Sequence, residues 1–328
     1  MKLVRVNRTV ANDSPGLPQC YWAIEIGGTK LQIVVGDESL NIVEHIRLSV
    51  DRTRGGAGIR EQIERVLASL SERWRPTATG VGFGGPVDWR TGQICCSHQI
   101  EGWADFPLGE WLGSLTGGAV LVDNDANMAA LGEAERGAGA GMDPVFYVTL
   151  GSGVGGGLVV GGTIYHGARP GESEIGHLRL DREGTIVESR CSGWAVDARI
   201  RRLKESGSPS LLCDWIGEQA GGEAKFLALA LQNHDREAER ILQETAADLA
   251  FALSHVTHLF HPERMVIGGG LSLVGEPLRK AVASAMGTFV MEVFAPGPGV
   301  SLAALGENAV PIGCLVAARQ LENPSRPS

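Results

Sequence analysis

The sequence predicts an α/β protein assembled from two related halves. The first observation is a repeated pattern, in which an apolar run enters a glycine-rich turn and leaves as a second apolar run. It occurs at Ala23 to Val35 around Gly27 and Gly28, and again at Val145 to Val160 around Gly151 to Gly157. The second is that short apolar runs alternate with stretches of helical period, as in sheets covered by helices. The third is length, since a chain of 328 residues exceeds what one core usually organises and tends to split into two domains.

In the first half, Ile24-Glu25-Ile26 leads into Gly27-Gly28-Thr29-Lys30 and out through Leu31-Gln32-Ile33-Val34-Val35, a returning strand rather than a helix. Nucleotide loops of the dehydrogenase and Walker types instead open a helix whose N-terminus holds the phosphate. Glycines in a hairpin turn can take positive φ or let a ligand approach the backbone, and the Thr29 hydroxyl with nearby amides can donate to phosphate oxygens. An ordinary hairpin connection accounts for Gly-Gly equally well.

After a third apolar run, Ile42 to Val50, the spacing of Ile59, Ile63, Val66, Leu67 and Leu70 predicts a helix over Gly58 to Trp74. A strand then enters Gly80-Val81-Gly82-Phe83-Gly84-Gly85, where backbone must come close to something. Val120-Leu121-Val122 reads as a buried strand ending at Asp123-Asn124-Asp125, followed by a helix from Ala126 to Gly137.

The second half restarts at Phe146-Tyr147-Val148-Thr149-Leu150 with its own glycine hairpin. A long amphipathic helix, Glu237 to Phe260, carries Leu242, Ala246, Leu249, Leu253, Val256 and Phe260 on one stripe, and Pro262 stops it. Met265-Val266-Ile267 then delivers a strand into a third glycine loop, Gly268-Gly269-Gly270.

A formal charge of −9, from 38 acidic against 29 basic residues, excludes nucleic acid and anionic membrane as main partners. No stretch approaches the roughly 18 to 20 apolar residues of a membrane span. Residues 1–20 form an N-terminal extension without the apolar segment of a signal peptide, and residues 323–328 form a frayed tail. Six cysteines without a CxxC pair point to a reducing compartment, so the expected localisation is cytoplasmic.

Two tempting patterns are set aside. Gly151, Gly153 and Gly156 match the dinucleotide pattern, with Glu172 and Glu174 about 20 residues on. Gly155-Gly156-Gly157 would be costly in a first helical turn, however, and Leu158-Val159-Val160-Gly161-Gly162 reads as a returning strand. His255, His258 and His261 form a three-spaced row, but successive steps of three residues drift around a helix by about 60°. Imidazolium at a helix C-terminus explains the row without a metal.

Five segments in order, Gly27-Gly28-Thr29-Lys30, Asn124-Asp125-Ala126-Asn127, Gly151 to Gly157, Glu174-Ile175-Gly176-His177 and Gly268-Gly269-Gly270, together resemble the ROK family of bacterial sugar kinases and repressors. The resemblance runs from about Tyr21 to about Gln320. It implies an actin-like ATPase fold, a duplicated ribonuclease-H-like α/β architecture of two domains with an interdomain cleft in which sugar and ATP meet. The expected division is a small N-terminal domain of residues 21–123 plus 308–322, onto which a last helix over Pro311 to Leu321 packs, and a large C-terminal domain of residues 124–307. Repressors of the family place a winged helix-turn-helix before the first glycine hairpin. The twenty or so residues there, with prolines and no helical period, favour the kinase branch.

The chemistry implied is phosphoryl transfer from ATP to a sugar hydroxyl, in which positioning and charge stabilisation dominate. A carboxylate in reach of the hydroxyl acts as general base, worth about 10² to 10⁴ in rate. Asp125 matches the family's catalytic aspartate. Read from residue type alone, Asp123, Asn124 or Asp125 also suits the N-cap of the following helix. By the same match Asn124, Glu174, His177 and Glu188 bind sugar hydroxyls, and Gly84 and Gly85 form a backbone wall beside the sugar. Taken singly, these glutamates and the histidine also fit ordinary surface positions. Glu25, Gly27, Gly28, Thr29 and Lys30, with Gly151, Ser152, Gly153, Gly155 and Gly156, are expected around the phosphates, and Gly268, Gly269 and Gly270 along the adenosine.

The departures from the family pattern carry their own expectations. Many members follow the histidine with a Cys-x-Cys-Gly-x-x-Gly-Cys-x-Glu loop that closes a structural zinc, whereas this chain has no cysteine between His177 and Glu188. No zinc is expected, and the orientation of His177 needs another partner. Gln99 stands where asparagine is more usual. Glu25 replaces the commoner aspartate and is a candidate for holding Mg²⁺ through water.

The expected activity is transfer of the γ-phosphate of MgATP to the 6-hydroxyl of a hexose, glucose first. N-acetylmannosamine, N-acetylglucosamine, fructose, mannose and allose stand as alternative acceptors, and polyphosphate as an alternative donor. A sugar-binding regulator without turnover is the alternative of another class. A homodimer is expected, as is frequent in the family.

Overall fold

The apolar runs flanking Gly27 and Gly28 pair antiparallel as β1 (Gln19–Ile26) and β2 (Lys30–Gly36), with Glu25 opposite Gln32 and Ile26 opposite Leu31. β3 (Ile42–Ser49) lies outside β2. α1 (Gly55–Ser71) then crosses to β4 (Arg75–Phe83), which runs parallel to β1. A small hairpin, β5 (Val87–Asp88) and β6 (Gln93–Ile94), and α2 (Leu108–Thr116) precede β7 (Ala119–Asn124), parallel to β4. α3 (Asp125–Arg136) starts directly from the end of β7. The sheet order is β3-β2-β1-β4-β7.

The computed structural model describes residues 19–97, 100–169, 171, 173–218 and 220–322. They fall into two compact units, one holding the chain through Met128, Gly167–Gly171 and the chain from Val310, the other Ala129–His166 and Glu172–Ala309. The first unit thus runs five residues beyond position 123. The first turn of α3 is tied to it, because Asn127 Nδ2 donates to Asp123 Oδ1 at 2.9 Å and to the Gly171 carbonyl at 2.9 Å.

The second unit repeats the plan. β8 (Val145–Leu150) and β9 (Val154–Val160) form an antiparallel hairpin, extended by β10 (Thr163–Ile164). Helices α4 (Val187–Cys191), α5 (Gly193–Glu205), α6 (Leu211–Trp215), α7 (Leu227–Gln232) and α8 (Arg236–Phe260) follow. β11 (Arg264–Gly268), α9 (Glu276–Met286) and β12 (Gly299–Leu302) complete the second sheet, ordered β10-β9-β8-β11-β12. Both sheets place an antiparallel meander beside two parallel strands, so the duplication expected from the glycine turns is present in the topology. α10 (Ala309–Glu322) ends the described chain.

Strand periodicity sets the layers of the first unit. Cys20, Trp22, Ile24 and Ile26 of β1 share a core with Ile59, Ile63, Leu67 and Leu70 of α1. The alternate residues face the other way, where Tyr21 Oη donates to the Glu322 carboxylate of α10. A side chain at Gly36 would come within 2.7 Å of Leu315 of α10, so that helix presses directly on the sheet. With both faces covered, β1, β2 and β4 read as nearly continuous apolar runs.

α1 begins and ends three residues before the predicted bounds. Its start is drawn in because Gly56 N donates to the Glu101 carbonyl at 2.8 Å, and a Cβ there would approach the Gly102 carbonyl at 2.9 Å. Its end unwinds because Arg73 and Trp74 both turn their side chains to Glu44 of β3.

α8 carries Asp235 as N-cap, accepting from Ala238 N at 2.9 Å, and closes on His261 in the left-handed region at φ 48°. The three histidines at its end are engaged with neighbouring side chains and backbone, not with one another. His255 meets Phe251 edge to face, His258 Nε2 accepts from Met291 N at 3.1 Å, and His261 lies 4.1 Å from the ring of Phe294. Among the described residues no group of three or more His, Cys, Asp or Glu side chains is placed to hold a metal ion, and no helix is long and apolar enough to cross a membrane.

Candidate active site

In the first unit the site is built where β1, β4 and α3 converge. The turn after β1 closes with Gly27 N donating to the Lys30 carbonyl at 3.0 Å. Gly84, at the end of β4, donates its N–H to the Ile26 carbonyl at 2.9 Å. A Cβ on Gly84 would stand 3.4 Å from Asp125 Oδ2 and 3.7 Å from Gly27 Cα, so Gly27, Gly84 and Asp125 meet. Gly27 does not carry a positive φ. Its value lies in leaving the turn bare, not in an unusual backbone conformation. A small pocket opens beside them, lined by Gly27, Gly28, Phe83, Gly84, Ile100 and Trp103.

Glu25 is buried in β1 just before the turn, and both of its oxygens are engaged. Lys30 Nζ lies 3.1 Å from Oε1 and Gln32 Nε2 donates to Oε2 at 2.5 Å. Gln32 in turn meets His45 Nε2 at 2.7 Å. Burial, and next the negative charge of Glu25, push the Asp125 carboxyl up to about 7. A carboxyl poised there can exchange a proton near neutral pH, which is what a general base requires.

The capping alternative resolves onto a neighbour. Asn124 Oδ1 accepts from Ala126 N at 2.8 Å and Asn127 N at 3.3 Å, and Asn124 Nδ2 donates to the Gly85 carbonyl at 3.3 Å. Asn124 is the N-cap and Asp125 the first helical residue, whose carboxyl is also hydrogen-bonded by its own amide and that of Ala126, a pull that opposes the rise caused by burial. Gln99 lies outside the described residues.

In the second unit the predicted residues gather around the turn between β8 and β9. Gly151 N donates to the Gly153 carbonyl at 2.9 Å, and Ser152 is exposed at the tip. Glu188, in α4, accepts from Val154 N through Oε2 at 2.9 Å, and a Cβ at Gly153 would meet that oxygen at 2.5 Å. The 3-10 turn Ile175–His177 packs on β9, since a Cβ at Gly156 would lie 2.8 Å from the Ser173 carbonyl. Glu174 and His177 flank that turn with exposed side chains. Gly269, at φ 79°, abuts Leu150, where a Cβ would approach the backbone to 2.6 Å. Gly268 and Gly269 are thereby joined to the same hairpin, with Gly270 exposed beyond them.

Sequence reasoning missed several contributors. Gln32, fully buried opposite Glu25, could have been found from the hairpin register, which puts an amide against a carboxylate in an otherwise apolar pair of strands. Arg52 Nε donates to the Gly28 carbonyl at 2.9 Å, a contact across 24 residues that left no local signal. Asp123, one of the three cap candidates, instead accepts from Asn124 N at 2.7 Å and from Asn127 Nδ2, fixing the start of α3 from beneath.

Comparison with known proteins identifies relatives of this chain. The profile of the ROK family matches residues 21–320. A glucokinase of Halalkalibacterium halodurans is 32% identical over 319 residues, covering 92% of this chain and 96% of that protein. A glucokinase of Thermotoga maritima is 30% identical over 271 residues, covering 79% and 86%. The crystal structure of a ROK family glucokinase from Streptomyces griseus in complex with glucose and AMPPNP superposes with a TM-score of 0.78 at 28% identity, covering 92% of this chain and 99% of that one.

Proposed function

The chain belongs to the ROK family, and on that premise we propose that it is a sugar kinase that transfers the γ-phosphate of ATP to the 6-hydroxyl of glucose. The single observation that carries the catalytic assignment is Asp125, a helix-start carboxylate next to the Asn124 N-cap and raised to about 7 beside the bare backbone of Gly27 and Gly84. The identities of 30 to 32% with glucokinases favour glucose as acceptor.

Asp125 accepts the proton of the sugar hydroxyl as the hydroxyl attacks phosphorus, and Gly84 and Gly85 leave room for the ring. Asn124 reaches a second hydroxyl while capping α3. Glu174 and His177 bind further hydroxyls, as does Glu188, which also holds the Val154 amide. Gly27, Gly28, Thr29 and Lys30 surround the transferring phosphate, and the amides of the Gly151 to Gly156 turn, with Ser152, hold the remaining phosphates. Gly268 to Gly270 border adenosine.

Glu25, whose negative charge reaches Asp125, would hold Mg²⁺ through water. When bound, the ion neutralises charge on the phosphates. Cysteines that are all free fit a reducing cytoplasm, and exposed Leu259, Phe260, Met291 and Val293 fit a homodimer.

The test is ADP release from MgATP across glucose, mannose, fructose, allose, N-acetylglucosamine and N-acetylmannosamine, with polyphosphate as a second donor and Asp125→Ala as control. Turnover with glucose, abolished in the control, is the expected result. Tight sugar binding by calorimetry without product from any donor would overturn the kinase reading in favour of a sensor.

A further inference from the structure

The family zinc does not fit this chain, because residues 178–187 offer neither thiolate nor imidazole. The segment is closed by its own backbone. Leu180 N donates to the Thr185 carbonyl at 2.8 Å, Val187 N donates to the Leu178 carbonyl at 3.0 Å, and Arg179 bridges Ile186. Asp181 Oδ1 accepts from both Gly184 N and Thr185 N at 2.9 Å, shaping the tip. This hairpin delivers the chain into α4, a helix of five residues that is too short to hold its orientation unaided.

α4 is fastened on three sides. Val187 and Cys191, four apart and fully buried, lock one side into the core. Glu188 points to the glycine turn and takes the Val154 amide at 2.9 Å. Arg190, two residues on and therefore about 200° around the helix, points to α8, where its Nε lies 2.8 Å from Asp248 Oδ2. Asp248 is held in turn by Arg199 Nη2 at 3.4 Å, and Arg199 Nη1 donates to Thr245 Oγ1 at 3.0 Å. Directly after α4, Gly193 N donates to the Gly151 carbonyl at 2.7 Å, closing the link back to the turn.

We infer that Arg190 is a positioning residue: paired with Asp248, it anchors α4 to α8 so that Glu188 keeps the Gly151–Gly153 turn in the shape that receives phosphate. The inference rests on the reading of that turn as a nucleotide phosphate site. Loss of the anchor loosens nucleotide binding more than sugar binding.

The test uses Arg190→Ala, Arg190→Lys, Asp248→Asn and the double variant Arg190→Ala/Asp248→Asn, each checked for the wild-type circular dichroism spectrum. Arg190 is partly exposed, so its removal costs little stability. The KM for MgATP and the calorimetric Kd for a non-hydrolysable ATP analogue rise about tenfold in Arg190→Ala, the KM for sugar rises less because Glu188 is one of several residues assigned to the sugar, and Arg190→Lys recovers part of the loss. The double variant is no worse than the more impaired single, as expected for one coupled pair. Purified wild type carries no stoichiometric zinc, and a strong chelator changes neither its Tm nor its nucleotide Kd.

An unchanged nucleotide Kd in Arg190→Ala would overturn the inference, as would zinc near one per chain. Failure of the kinase reading is distinguishable, because wild type would then bind the ATP analogue yet release no ADP with any sugar, and the calorimetric comparison still decides the role of Arg190.

Discussion

The two glycine turns occupy the same place in two sheets of the same topology, yet they obtain their negative charge differently. At the first turn the carboxylate is part of the strand, with Glu25 paired to Gln32 one register position back from the turn. The equivalent pair at the second turn is Thr149 and Gly155, which brings no charge. There the carboxylate arrives from Glu188, 34 residues further along, and it takes a backbone amide instead of a lysine and an amide side chain. Duplication has preserved the hairpin frame while the chemistry on each copy diverged. The first turn concentrates charge beside Asp125, and the second spends its charge on holding backbone in shape.

The largest expected effect breaks this asymmetry at its charged end. Asp125→Asn keeps size and shape but removes the base, and sugar phosphorylation should fall by at least about 10², with the KM for sugar within a few fold. In wild type, kcat/KM should climb as pH rises through about 7, where burial and Glu25 place the Asp125 carboxyl. Stability moves in the opposite direction. The folded value lies above the ordinary aspartate value of 3.8, so the proton on Asp125 favours folding fully below about pH 4 and that contribution is lost as pH rises through about 7. Asp125→Asn should therefore melt higher than wild type at pH 8, with the difference closing toward pH 4. A variant that melts no higher at pH 8 would show that Asp125 is not a strained, functional carboxyl.

The legible part of the molecule was the part with local cause. Both hairpins follow from period-2 runs broken by glycine, and α8 follows from its stripe and Pro262. Asp125 was legible as one of three candidates for a cap, but the choice of Asn124 depends on where β7 releases the chain, which composition does not encode. The bounds of α1 were misplaced because Glu44 and Glu101, distant in sequence, set its ends. The bond from Val154 to Glu188 and the link from Arg52 to Gly28 join residues 34 and 24 apart, and only the folded sheets reveal them.

A smaller effect sharpens the comparison at the second turn. Gly153→Ala places a methyl 2.5 Å from the Glu188 carboxylate, so Glu188 must leave the Val154 amide. The KM for MgATP should rise about tenfold with kcat less affected, a loss of binding shared by ground and transition states. Adding Glu188→Ala to Gly153→Ala should raise the KM for MgATP no further, because the clash and the bond are the same interaction. At the first turn Gly84→Ala meets Asp125 only at an ordinary 3.4 Å and should fold normally, raising the KM for sugar rather than for nucleotide. Equal effects of Gly153→Ala on both substrates would erase the proposed division of labour.

The smallest effect separates the two tasks assigned to Asn124. As N-cap of α3 it accepts from Ala126 N at 2.8 Å, and Asn124→Ala should cost about 1 kcal/mol of stability, read as a lower midpoint in denaturant. Asn124→Asp keeps an accepting oxygen in the same place, so the cap and the melting temperature should survive. It exchanges the amide that donates to the Gly85 carbonyl for a carboxylate oxygen that cannot donate, and it adds a negative charge next to Asp125. If the amide also serves a sugar hydroxyl, the KM for sugar should rise several fold in Asn124→Asp despite intact folding. If Asn124 is a cap alone, the KM should stay at the wild-type value, and the sugar contacts of the first unit would then rest on Asp125 and the Gly84–Gly85 backbone.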